Sequence, residues 1–284
     1  MATFLNTLKI IHIHPILIFF IVISIVTGTF IDLFILLSIV LIHEIGHYLA
    51  ATYFNWRITS IVLWIFGGVM KTEEIGNRSL KEDMIVTIAG PLQHVFIHVF
   101  LSLLLMIDLF SASIIGAAMH YNWMICLFNL LPIFPLDGGK LLFYSLSAFI
   151  PYKQAHKITI IFSLCAASLI ILLQIFILPF TLSALLIMIF LLVENRTEWK
   201  NHYYLFIRFL LQRLHEPVDF QQEKLIVNRD ARLIDIFSLF RRNRKHLIYI
   251  VNGKANYIAE KESLQLYFKR HKLTETIGEI VKNS

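Results

Sequence analysis

The chain has 284 residues, of which 57% are hydrophobic and only 15% charged, with a net charge of +6 and a mean hydropathy of +0.72. That balance excludes a soluble domain over most of the length and points to a bilayer. Attraction to an anionic inner leaflet accounts for the positive charge, and no nucleic-acid partner is expected.

Reading from the N-terminus, "MATFLNTLKIIHIHP" carries one Lys and no small-residue cleavage pattern, so it leads into an uncleaved first span and not a secretory signal. A crossing helix needs about 20 apolar residues. Six candidates stand near 13 to 29, 33 to 53, 84 to 106, 113 to 132, 158 to 176 and 179 to 194. Lys and Arg favour the cytoplasmic side. The "TGTFID" turn, the "IDLFSAS" loop and the Pro179 turn contain none, whereas Lys9, Arg57, Lys71, Arg78, Lys81, Lys140, Lys153, Lys157, Arg196 and Lys200 fall on the other side. Both termini are therefore expected in the cytoplasm. Cys126 and Cys165 sit inside apolar runs and read as small buried residues, not as a disulfide framework.

Between spans two and three, "SIVLWIFGG" is β-branched and aromatic, and Gly67 and Gly68 are expected to supply a turn. Two readings stand: a strand pair at the membrane boundary with its backbone covered by protein, or an interfacial loop anchored by Trp56 and Trp64. After span six, "EWKNHYYLFIRFLLQRLHEP" predicts a linker helix over 196–216, ended by Pro217. The tail over 217–284 predicts strand "EKLIVN", helix "ARLIDIFSLFRRNR", strands "HLIYIVNG" and "ANYIAEK", and helix "ESLQLYFKRHK", with a hairpin turn at Asn252 and Gly253. The expected fold is a mainly α membrane protein: six transmembrane helices over 1–195, a membrane-associated strand hairpin, and a small cytoplasmic α+β domain.

The chemistry concentrates in "HEIGH". Two His four residues apart face one side of a helix and can bind one Zn²⁺, with the intervening Glu as general base. Ionisable groups at bilayer depth cost several kcal/mol or more and usually mark function, so His43, Glu44 and His47 are the first site candidates. A catalytic zinc normally takes three protein ligands and keeps one open position. Asp137 is the candidate third ligand: it follows Pro132 and Pro135, precedes Gly138 and Gly139, and so sits where a helix must break. At 1.5 Å per residue, His43 to His47 lie about 15 to 21 Å into span two, a depth that the broken end of span four also reaches. Asn129 is a candidate for the substrate backbone or oxyanion, or else an interhelical contact, and Pro135 a candidate for shaping the cleft. An extended substrate can add to the strand ending at Gly67 and Gly68. His94 and His98 also have four-residue spacing, but with no adjacent carboxylate they read as interface residues. A competing class is an ion transporter that uses His and Asp along a pathway.

"HEIGH", "AGPLQH" and "NLLPIFPLDGG" together resemble the site-2 protease family of intramembrane zinc metalloproteases, and the tail resembles one cystathionine-beta-synthase-type (CBS) repeat, a combination similar to the sporulation branch of that family. The resemblance implies zinc held by His43, His47 and Asp137, with Glu44 activating water. Its implied substrate is a membrane-associated sigma-factor precursor, with membrane inhibitor proteins as partners and the membrane around the forespore as location. A single βαββα unit leaves an apolar face that needs a second copy, so homo-oligomer pairing through the tail is expected; the resemblance adds regulation by adenine-nucleotide binding, against the alternative of a dimerisation or anchoring module with no ligand. One departure is His94, which stands where the family's GPxxN-like motif often has Asn.

Overall fold

The computed structural model describes residues 11–13, 15–64, 67–72, 78–108, 110–177, 179–215, 221–251, 257–269 and 276–282. Its chain falls into two units, one of Met1–Ile75, Lys81–Leu141 and Leu182–Ile187, the other of Gly76–Leu80, Leu142–Thr181 and Met188–Ser284.

In the first unit, β1 (Ile11–Ile13) leads into α1 (Pro15–Thr27), whose Pro at the first helical position sacrifices only an N–H that had no intrahelical partner. Gly28, at φ 75°, reverses the chain, and α2 (Phe30–Tyr53) follows. Asn55 takes φ 56° at the far end of α2, and the Trp56 N–H closes back on the Ala51 carbonyl at 2.9 Å, which turns the chain into β2 (Ile58–Trp64). β3 (Gly67–Thr72) pairs antiparallel with β2, and β1 pairs parallel with the other edge of β2. Two helices complete the unit, α3 (Leu80–Met106) and α4 (Ala112–Asn129), and α5 (Asp137–Phe149) begins in it. α2 packs on α1, α4 and β3.

The strand pair is present, but Gly67 and Gly68 are not its turn. They open β3 and pair with Trp64 and Leu63. Ladder pairing runs to the last residue of β2, so the connection shrinks to positions 65 and 66, outside the described residues. The sequence also gave no sign of β1, three residues too short to stand out from the span that follows, nor of α5, where "PLDGG" reads as a break and conceals the helix beyond it.

Polarity in this unit is inverted relative to a soluble protein. Phe34 and Val26 are 71% and 81% exposed, while His43, Glu44, His47, His94, Asn122 and Asp137 are buried. Apolar atoms outside and ionisable groups inside are what lipid demands. Among the described residues, three helices are long and apolar enough to cross a membrane, α2, α3 and α6 (Tyr152–Phe176). The other three expected spans correspond to the shorter apolar α1, the 18-residue α4 and the first part of α7 (Leu182–His215).

Helix α7 runs for 34 residues, all but its first six in the second unit, so the expected linker helix continues the sixth apolar segment without a break. Its polar half retains a buried stripe, with Phe206, Phe209, Leu210 and Leu214, and Phe209 stacks on Tyr152 of α6 at 4.2 Å. The tail forms a sheet in the order β4 (Gln222–Val227), β5 (Lys245–Ile250), β6 (Tyr257–Ala259), the first pair parallel and the second antiparallel. The expected helix over 231–244 contracts to α8 (Leu233–Phe237), and α9 (Glu260–Lys269) and α10 (Ile277–Lys282) follow. The first contracts because Phe237 and Phe240 are both fully buried with Leu233 and Ile236, and the chain must turn to bring His246 into β5. Pro217 and the Asn252–Gly253 turn lie outside the described residues.

A buried polar node ties the end of α7 to this tail. Arg213 donates to Glu260 Oε1 at 2.9 Å and to the carbonyls of Arg242 and Arg244 at 3.0 and 2.7 Å, while the His246 amide donates to Glu260 Oε2 at 2.8 Å. Burial raises the Glu260 carboxyl, but the His246 contacts and the Arg213 charge outweigh it, and the net shift is downward. A lowered carboxyl contributes stability that is full above its unfolded value of about 4.3 and is lost as pH falls through the folded value. Hydrogen exchange of residues 245–250 in the full chain, corrected for intrinsic pH dependence, is expected to accelerate below that pH, and less so in Glu260→Gln. Arg213→Ala leaves the buried carboxylate without its cation and is expected to cost about 3–5 kcal/mol at neutral pH.

Candidate metal centre

The centre begins as a helix with two histidines one turn apart. His43 and His47 of α2 lie with ring centroids 4.7 Å apart at 83°, and their Nε2 atoms are separated by 3.1 Å. Space for this comes from glycine. A Cβ at Gly46 would meet the Ala89 carbonyl of α3, and one at Gly90 would clash with the His47 ring, nearest to its Nε2. With no side chain at 90, the ring reaches along α3 and its Nδ1–H donates to the Val86 carbonyl at 2.8 Å. A carbonyl only accepts, so the neutral ring keeps its lone pair on Nε2.

Asp137 arrives from the other side of a broken helix. α4 stops at Asn129, and the chain turns through Pro132 and Pro135 before α5 starts at Asp137 itself. Gly138 and Gly139 permit this, because a Cβ on either would strike backbone atoms of Leu130 and Ile133. A carboxylate in the first turn is favoured by the helix dipole. Its Oδ1 accepts from Lys140 Nζ at 3.0 Å, leaving Oδ2 to face the rings, 3.1 Å from His43 Nε2 and 3.0 Å from His47 Nε2.

The three atoms form a triangle with edges of 3.0–3.1 Å. A tetrahedral zinc with ligands at about 2.0–2.1 Å separates them by about 3.3–3.4 Å, so a shift of a few tenths of an ångström fits this donor set to the ion. The donors suit it too: two imidazoles and one carboxylate, all buried. His43, Glu44 and His47 each offer a ligand atom, all within 4.8 Å of one another, so Glu44 stands beside the triangle.

Other sequence candidates lie elsewhere. Asn129 ends α4 and spends its side-chain N–H on the Ile125 carbonyl at 3.0 Å; it makes no bond to the triangle. Pro135 is exposed, in the connection before Asp137. Gly67 and Gly68 belong to the sheet. Sequence reasoning missed Gly90 and Lys140. His94, read as an interface residue, does lie between helices, and its Nε2 is 3.1 Å from His43 Nδ1; what the spacing did not show is that its partner is a candidate metal donor.

The profile of Peptidase family M50 matches residues 31–111 and 107–173. Over 286 aligned positions the chain is 36% identical to stage IV sporulation protein FB of Bacillus subtilis (strain 168), spanning 99% of each. It is also 36% identical over 132 residues to a zinc metalloprotease of Methanocaldococcus jannaschii, covering 44% of this chain and 38% of that one. Among solved structures, the site-2 protease of the same archaeon superposes with a TM-score of 0.53 at 26% identity, covering 66% of this chain and 89% of its own.

Proposed function

We propose, from the premise that this chain belongs to Peptidase family M50 and is a zinc metalloendopeptidase of the site-2 protease type, that it cleaves a membrane-associated precursor protein near the cytoplasmic side of the bilayer. One observation carries the reading: His43 Nε2, His47 Nε2 and Asp137 Oδ2 converge to 3.0–3.1 Å with Glu44 beside them. Peptidase membership decides against the ion-transporter alternative.

In this reading His43, His47 and Asp137 hold zinc, which when bound lowers the pKa of water and polarises the scissile carbonyl. Glu44 takes a proton from the attacking water and returns it to the leaving amine nitrogen, so the proton count closes over one turnover. Lys140 keeps Oδ1 of Asp137 occupied, so that Oδ2, which faces the two imidazoles, would be the atom to hold the ion. A helical substrate shields its peptide bonds and must be drawn out. β3 is an edge strand among the described residues, and strand addition along it, starting at Gly67 and Gly68, would hold the substrate extended. Asn129 and Pro135 are assigned to the substrate's approach.

Six crossings by α1, α2, α3, α4, α6 and the first part of α7, with both termini cytoplasmic, agree with the Lys and Arg distribution. Identity across the whole length of a sporulation protein supports a sigma-factor precursor as substrate and the membrane around the forespore as location. Inhibitor proteins, and adenine nucleotide at the CBS-type tail, rest on family resemblance alone, and self-pairing on the single βαββα unit. The test is zinc analysis of the purified full chain, alongside cleavage of a sigma-factor precursor in proteoliposomes. One zinc per chain is expected, with both zinc and cleavage lost in His43→Ala; a wild-type chain that takes up no zinc, or a His43→Ala chain that still cleaves, would sink the reading.

A further inference from the structure

We infer that His94 and Asn122 form a relay that fixes the tautomer and ring orientation of His43, and that they are positioning residues for the metal centre. The inference rests on His43 being a zinc ligand. Three spans meet in it. His43 of α2 lies 3.1 Å through Nδ1 from His94 Nε2 of α3, and His94 Nδ1 lies 2.8 Å from Asn122 Oδ1 of α4. Asn122 is wholly inaccessible, and His94 is 2% exposed.

Proton positions follow from the far end inward. The Asn122 Nδ2 group donates to the His94 backbone carbonyl at 2.9 Å, which can only accept. That bond sets the carboxamide so that its oxygen, also only an acceptor, faces the His94 ring. His94 Nδ1 must then carry hydrogen, and in a neutral ring Nε2 is left with the lone pair. That lone pair takes the hydrogen of His43 Nδ1, so the lone pair of His43 falls on Nε2, the atom in the triangle. Reversing the His94 tautomer would set an N–H against an N–H at His43.

The two ligand histidines are therefore held by different means. His47 leans on main chain through the Val86 carbonyl, which no substitution removes. His43 leans on side chains, which substitutions do remove. An imidazole relay also supplies an acceptor with no added charge, where a carboxylate in that place would bring one more anion to bilayer depth.

Zinc retention is the readout, as the rate of zinc transfer from the purified full chain to a chelator, with the visible spectrum of the cobalt(II)-substituted protein reporting ligand geometry. His94→Leu is expected to weaken retention about 10–100-fold and to shift the cobalt spectrum, and His94→Gln, whose Oε1 replaces the Nε2 acceptor, to recover most of the loss. Asn122→Leu should also weaken retention, and should cost nothing further in the His94→Leu background, since it acts only through that ring. A packing role for Asn122 would make the two leucine substitutions additive, which would overturn the relay, as would wild-type retention in His94→Leu. His94→Gln keeps its acceptor and, compared with Asn122→Leu, decides the matter where His94→Leu does not fold. A wild-type chain that binds neither zinc nor cobalt overturns the metal reading itself, an outcome distinct from wild-type zinc with indifferent variants.

Discussion

Glu44→Gln is expected to keep one zinc per chain and to lose cleavage by about 10²–10⁴-fold, the span general acid–base catalysis supplies. Glutamine has the same shape and still accepts a hydrogen bond, but it cannot take a proton from water and return it to an amine. Zinc should survive because the third side of the donor triangle belongs to Asp137, whose Oδ2 stands 3.1 and 3.0 Å from the two imidazole nitrogens. Glu44 lies close enough to compete for that place, which makes metal content the deciding measurement. If Glu44→Gln loses its zinc and Asp137→Asn keeps it, the two carboxylates exchange roles and the proton-transfer assignment fails.

Gly90→Ala should weaken metal binding at the centre without substituting any candidate ligand. The added methyl would occupy the volume of the His47 imidazole, so the ring must leave both the Val86 carbonyl and its place beside Asp137. Losing an outer partner alone costs metal affinity about 10–100-fold, and displacing the ligand itself should reach or pass the upper end of that range. Gly116→Ala on α4 is the control, because a Cβ there has open space around it. Zinc affinity that stays at the wild-type value in Gly90→Ala would mean that α2 and α3 can separate freely, and that the close fit is not what holds the ring.

Much of the centre was legible before any coordinates. His43 and His47 share a face because a helix repeats every 3.6 residues, and a glutamate in an apolar span needs a reason to be there. Asp137 stood out because prolines and glycines surround it. The same local grammar misled at Gly67 and Gly68, where two glycines read as a turn and pairing across the ladder made them strand. It misled again after Asp137, where the glycines that signal a break instead let a new helix start against the backbone of residues 130 to 133. In the tail, helical periodicity over 231–244 yielded to the packing of Phe237 and Phe240.

By itself the sequence determined the apolar surroundings of this protein, most of its long helices and its candidate metal donors, because hydropathy and helical spacing act between near neighbours. Only the tertiary structure decided which nitrogen of each imidazole faces Asp137. That choice depends on acceptors remote in the chain, the Val86 carbonyl for His47 and the His94–Asn122 pair for His43. A hydrogen bond is set by distance and direction in space, and neither is written in the spacing of residues along a single span.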